Sequence, residues 1–206
     1  MEELISIAVP KSVANYQLPD PDLLLYFQNL DERILWLNDM VDASTLEFVQ
    51  RIVAWNIEDA GLPIKERIPI KIFINSPGGY LHECLAVSDT MLMSETPIYT
   101  ICVGLAASAA SLIFLSGTVR YIMPSARLLF HQGSAQVGGN SADVLSSTDD
   151  YKKQLDIMKD LILSRCPKLE KRKLNSKWKT DWYVDAKEAI EIGAADMVVS
   201  NIKDLM

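Results

Sequence analysis

Only two imidazoles occur in this chain of 206 residues, His82 and His131. An imidazole is the group that most often turns a serine hydroxyl into a nucleophile. His131 follows an apolar run at residues 128–130 and precedes a glycine-rich segment, residues 133–140. A strand end is where a fold can hold a side chain firmly and still expose it. His82 instead lies inside a helical pattern after Gly78-Gly79. His131 is therefore the better general base, with a hydrogen-bonded structural histidine as the competing reading. The serine within reach of such a base is sought where a strand gives way to a helix. Ser108 lies at such a junction, among Gly104, Ala106, Ala107 and Ala109, with Ser111 one turn on and Ser116 beyond. Small neighbours let a substrate backbone approach. A serine in an alanine-rich buried helix is more often a packing residue, and periodicity alone does not choose between Ser108 and Ser111. The carboxylate that would orient the imidazole has three candidates: Asp181, Asp185 and Asp196. Asp185 reads as a helix N-cap and Asp196 as the start of a strand, but the residues alone select none of them.

The elements that must position these groups follow from residues 72–117. Two strand-like runs, residues 68–74 and 98–103, end in small residues and pass into helix-like runs at residues 81–93 and 108–115. The junctions are Asn75-Ser76-Pro77-Gly78-Gly79 and Gly104-Leu105-Ala106-Ala107-Ser108. Each exposes backbone N–H groups where partial positive charge gathers, so the two side by side would hold an oxyanion. Pro77-Gly78-Gly79 reads either as a tight turn that needs glycine dihedrals or as a donor worth about 2.7–4 kcal/mol in a transition state. No Gly-Lys-Ser/Thr follows it, so it is not a P-loop, and it is not a GxGxxG signature.

Around this centre the pattern predicts a first helix from residue 23, a strand at 33–37, and a helix to about residue 56 opened by a capping box at Ser44 and Glu47. Strands follow at 119–123 and 128–130. A long helix spans residues 141–165, with Val144, Thr148, Tyr151, Leu155, Met158 and Ile162 on one face. A basic cluster at residues 168–179 reads as a solvated helix face. A helix from Asp185 ends at Gly193, and a last strand covers residues 197–199. Strands alternate with helices, so the class is α/β with largely parallel pairing.

Composition excludes several functions. The formal net charge is -7 with a sequence pI of about 4.9, which argues against a general nucleic-acid binder and against anionic membranes. Residues 96–119 carry no charge, but a buried strand followed by a buried helix explains them better than a membrane span. Cys84, Cys102 and Cys166 lack CxxC spacing, so they give neither a disulfide framework nor a metal site. The N-terminus lacks a basic n-region and a long apolar run. A cytoplasmic location is expected.

At these residues the chain resembles the ClpP family, serine peptidases that form the proteolytic subunit of the caseinolytic Clp protease. The resemblance runs from about Leu24 to the C-terminus. It rests on Asn75-Ser76-Pro77-Gly78-Gly79, Asp89-Thr90-Met91, the run from Thr100 to Gly104 leading into Ala106-Ala107-Ser108, Phe130-His131-Gln132, Asp181-Trp182-Tyr183 with Ala186 to Ala189, and the closing stretch from Gly193 to Asp196. It implies Ser108 as nucleophile, His131 as base and Asp181 as orienter, and so chooses Ser108 over Ser111 and Asp181 over Asp185. It also implies an oxyanion hole from the N–H groups of Gly79 and Ala109, with Gly78 shaping the turn. The implied fold is a crotonase-like β/α spiral, a single domain at residues 23–206 behind an N-terminal arm at residues 1–22. A protruding handle at about residues 133–165 would let two heptameric rings stack into a tetradecamer. The implied reaction is endopeptidase hydrolysis of unfolded chains fed by an AAA+ unfoldase ATPase, the subunit itself needing no cofactor, ATP or metal. Ala109 stands where the family often has methionine, and Gly133 where it often has proline. Lys71 and Met93 replace aromatic docking residues, and the arm is unlike the usual axial gate. These departures bear on ATPase docking and fit a divergent or phage-type member. Two other readings are an acyl-CoA enzyme of the crotonase group and a non-catalytic scaffold subunit of a mixed ring.

Overall fold

A computed structural model describes residues 20–134 and 136–205. The expected arm at residues 1–22 therefore lies almost wholly outside the described residues. The described residues divide into two compact units, one ending at Glu32 and one beginning at Arg33. In the first, helix α1 spans Pro21–Asp31. Asp20 caps it by accepting the Asp22 N–H at 2.9 Å, and Pro21 sits where a missing N–H costs nothing. The expected domain boundary at residue 23 falls in the first turn of this helix.

The second unit is organised by a seven-stranded sheet. Strands β1 (Ile34–Leu37), β2 (Ile70–Ser76), β3 (Ile98–Ala107), β4 (Val119–Ile122) and β7 (Met197–Val198) lie in the order β1-β2-β3-β4-β7, all parallel. Strand β5 (Arg127–Phe130) pairs in parallel with the far end of β3, and β6 (Trp182–Asp185) pairs antiparallel with β5. The period-two pattern explains the layering. Ile70, Ile72 and Ile74 of β2 are buried on one face, while Lys71 and Phe73 on the other are only half-buried. Helix α4 (Ala109–Leu115) packs on β2 and β3, α3 (Leu81–Met93) on α4, and α2 (Glu47–Glu58) on α3. Every residue of α4 is buried. The uncharged stretch at residues 96–119 is thus β3 and α4 in the core. No helix among the described residues is long and apolar enough to cross a membrane.

Two expectations shift at the detail that matters. The strand expected at residues 98–103 continues through Gly104 to Ala107. The reason is a change of partner: β3 pairs with β4 through Cys102 and with β5 from Leu105. The Asn75 side chain bridges this joint by accepting the Leu105 N–H at 3.1 Å. A Cβ on Gly104 would meet that same oxygen, so a larger residue there would displace the Asn75 side chain from this joint. The capping box expected at Ser44 belongs instead to Asp42. Its carboxylate accepts both the Ser44 N–H, at 2.8 Å, and the Ser44 hydroxyl, at 2.6 Å, and Thr45 answers the Asp42 N–H. A short 3-10 turn, Ala43–Leu46, then leads into α2.

The long helix α5 spans Ser141–Arg165, capped by Asn140 with Asp143 returning the bond. Its expected apolar face is buried only at Met158 and Ile162; nothing in the first half of the helix is buried. Helix α6 (Lys171–Lys177) buries Leu174 and leaves its cations in solvent, with Lys173 paired to Glu188 at 2.8 Å. Helix α7 (Ala186–Ile192) ends at Gly193 in the left-handed conformation, φ 74°.

Candidate active site

The chain turns from β3 into α4 at one residue. Ser108 has φ 54° and ψ -124°. A side-chain-bearing residue there stores strain of about 1–3 kcal/mol and persists only when its surroundings hold it. Three bonds do so. The Ser108 N–H donates to the Leu129 carbonyl at 2.9 Å. The Ser108 carbonyl accepts the Ser111 N–H at 3.0 Å and the Ser111 hydroxyl at 2.6 Å. Ser111 is buried and its hydroxyl is already engaged. Sharp strand-to-helix turns of this kind present a nucleophile clear of the sheet.

The Ser76–Gly79 turn abuts this elbow. Ser76 Oγ donates to the Asp39 carbonyl at 2.5 Å and accepts the Gly78 N–H at 3.1 Å. Val41 brackets the next residue: its N–H donates to the Gly78 carbonyl at 2.9 Å and its carbonyl accepts the Tyr80 N–H at 2.8 Å. The Gly78 N–H is thereby spent, whereas those of Gly79 and Ala109 meet no acceptor among the described residues. A Cβ on Gly78 would lie 2.8 Å from Ser108 Cβ and 2.9 Å from Ala109 N. The two junctions expected to stand side by side are in contact.

His131 is the first residue beyond β5. The antiparallel register that pairs Phe130 with Trp182 carries on to set His131 opposite Asp181. Its Nδ1 lies 3.2 Å from Asp181 Oδ1. The other two carboxylates are engaged elsewhere. Asp185 accepts the Glu188 N–H at 2.8 Å as the cap of α7. Asp196 accepts from the Arg120 N–H, Nε and Nη2 at 2.8, 3.0 and 2.7 Å. The guanidinium holds the Asp196 carboxyl below its usual range against the opposing pull of burial.

Ser108, Ala109, Gly78, Gly79 and His131 line one cleft of about 660 Å³, and the exposed His82 lines it too. His131 Nε2 is buried and makes no hydrogen bond, so Ser108 Oγ is not bonded to it in this resting arrangement. The cysteines offer no rival nucleophile. Burial pushes the thiols of Cys84, Cys102 and Cys166 up to about 12. Reading residue types passed over two groups at this site: Ser76, which ties down Gly78, and Tyr151, whose hydroxyl bonds the Gln132 carbonyl at 2.8 Å. A serine two residues before a glycine turn is a readable signal for the first. Nothing in the helical spacing distinguishes the second from a packing aromatic.

The Clp protease family model matches residues 23–202. The chain is 38% identical over 139 residues to the ATP-dependent Clp protease proteolytic subunit 1 of Chlamydia felis, covering 66% of this chain and 67% of the relative. It is 34% identical over 175 residues to proteolytic subunit 2 of Tropheryma whipplei, covering 82% and 92%. It is 29% identical over 182 residues to the proteolytic subunit of Deinococcus radiodurans, covering 87% and 86%. Taken with the parallel-dominated α/β sheet that carries the Ser108 elbow, these matches place the chain in the Clp protease family.

Proposed function

We propose that the chain hydrolyses peptide bonds through Ser108, His131 and Asp181, as the proteolytic subunit of a Clp-type serine protease. The observation that carries this reading is the His131–Asp181 pair at 3.2 Å with the opposite imidazole nitrogen, Nε2, buried and unpartnered in the cleft that also holds Ser108. Asp181 fixes the tautomer that leaves Nε2 free to accept. Ser108 Oγ attacks the scissile carbonyl, its proton passes to Nε2, and the developing oxyanion takes the N–H groups of Gly79 and Ala109. Nε2 then returns the proton to the leaving amine, and water repeats the sequence on the acyl-enzyme. General-base assistance of this kind contributes about 10²–10⁴-fold. The open Ser108–His131 bond fits an unliganded site, where catalytic bonds are often long.

The relatives are named subunits of an ATP-dependent protease. No ATP-binding glycine loop is present in this sequence, so the ATP requirement would come through an AAA+ partner that unfolds the substrate. Ring assembly is supported by the face of the sheet that the helices leave uncovered. There Trp36 stacks on Phe73 with ring centroids 4.6 Å apart, and Tyr99 meets Tyr121 edge-on at 6.0 Å. Trp36 is 48% exposed. The unburied first half of α5 fits a handle between stacked rings.

A fluorophosphonate probe followed by intact-mass analysis and peptide mapping tests the assignment. One adduct per chain, located at Ser108, is the expected result. No adduct on folded, assembled protein would remove it. The same probe separates the two serines. Ser111→Ala should still label at Ser108, while losing about 1 kcal/mol of stability with its hydrogen bond. That corresponds to a thermal midpoint about 2–4 °C lower at fixed protomer concentration. Loss of labelling in this variant, with the fold retained, would shift the assignment to Ser111.

A further inference from the structure

We propose that Tyr151 is a positioning residue for His131, acting through the Gln132 carbonyl; this rests on His131 being the general base. The imidazole is held on two sides already. Its backbone leaves β5, which is locked between β3 and β6, and its Nδ1 faces Asp181. The third side is the chain that follows. From Gln132 to Gly139 the described residues form neither strand nor helix, and Gly133 has a positive φ of 74°. Among the described residues, a Cβ placed on Gly133 would find only Tyr151 Oη within 4 Å, at 3.9 Å, so Gly133 is not packed against a neighbour on that side. One hydrogen bond restrains it among the described residues: Tyr151 Oη donates to the Gln132 carbonyl at 2.8 Å.

Tyr151 is well placed for this. It projects from α5, a helix capped at Asn140 and anchored in the core by Met158 and Ile162. It also lines the cleft shared by Ser108 and His131. The carbonyl it holds belongs to Gln132, the residue immediately after His131. Any drift of Gln132 therefore becomes a rotation of His131, and Nε2 must come within about 2.6–3.2 Å of the serine hydroxyl to accept its proton. A displacement of about 1 Å at such a site costs about 10²-fold in rate. The tyrosine ring is only half-buried, and the hydroxyl supplies the tether.

Tyr151→Phe removes the hydroxyl and keeps the ring. Histidine C2–hydrogen exchange, read by mass spectrometry, reports each imidazole separately and needs no turnover. The chain has only two histidines, and both line this cleft, so His82 is an internal control. In the variant, exchange at His131 should quicken at least about twofold while His82 stays unchanged. Peptide hydrolysis should lose about tenfold in kcat with KM within about twofold, because the ring that lines the cleft is kept. Unchanged exchange at His131 in the assembled variant overturns the proposal whatever happens to turnover. Failure of the wild-type protein to take the fluorophosphonate would count against Ser108 and leave the exchange result to decide on Tyr151.

Discussion

Ser108→Ala is expected to lower kcat for peptide hydrolysis by roughly 10⁴–10⁶-fold, with KM little changed and the particle mass unaltered. The substitution removes a single oxygen. The backbone bonds that hold the elbow, from Ser108 N–H to Leu129 and from Ser111 to the Ser108 carbonyl, survive it. Alanine occupies the positive-φ position at much the same strain as serine, so the fold has no reason to relax there. The N–H groups of Gly79 and Ala109 also remain, and polarisation by such donors alone leaves a residual catalysis of about 10³–10⁴ over water. Substrate binding along the cleft persists, which is why the loss belongs in kcat. Turnover of a fluorogenic peptide, measured beside native mass spectrometry, checks both halves. Activity within tenfold of wild type would place the nucleophile elsewhere. The cysteines are poor replacements because each thiol is buried and pushed up to about 12, far from forming a thiolate at neutral pH.

The reach of the sequence is clearest where one local pattern decides one local structure. The period-two run of isoleucines points to β2, which lies at Ile70–Ser76, two residues beyond the expected 68–74, and the long helix expected at residues 141–165 is α5. Asp185 was readable as a cap because Glu188 follows at the right distance, and it is one. Residue types brought Ser108 and His131 forward as candidates. They did not choose between Ser108 and Ser111, because the difference is a backbone dihedral and the occupation of a hydroxyl, neither of which periodicity encodes. Nor did they choose among the carboxylates. The pairing of His131 with Asp181 depends on an antiparallel register between segments fifty residues apart, while Asp185 is engaged by the Glu188 N–H and Asp196 by Arg120. Resemblance to a family supplied the same selection by analogy. The structure supplies a physical reason for the geometry: one strand pairing sets His131 opposite Asp181, and two competing carboxylates have other partners. Gly104 shows the opposite limit. A glycine that reads as a strand end is instead the point where β3 passes from one partner to another, with the Asn75 side chain seated where a Cβ would lie.

Gly78→Ala is expected to lower kcat by roughly 10²–10³-fold, the scale of losing one oxyanion donor, and to destabilise the protomer. Two independent effects converge on this residue. Its φ of 90° is a conformation that alanine adopts only with strain of about 1–3 kcal/mol. The added Cβ would also sit 2.8 Å from Ser108 Cβ, 2.9 Å from Ala109 N and closer still to the Ala107 carbonyl oxygen. These are mostly backbone atoms of the elbow and not the ends of flexible side chains, so the turn and the elbow must separate. The Gly79 and Ala109 N–H groups, which line the same cleft, would then lose their fixed relation to Ser108. The Gly78 N–H itself is bound to Ser76 Oγ, so the variant removes no donor directly. Its effect is one of geometry. A catalytic loss should therefore appear in kcat and in the rate of fluorophosphonate labelling together, with KM for a short peptide changed much less. The thermal midpoint, compared at one protomer concentration, should fall by about 2–4 °C for each kcal/mol lost. A variant that assembles, labels and turns over at the wild-type rate would show that the Gly78–Ser108 contact is not what aligns the site.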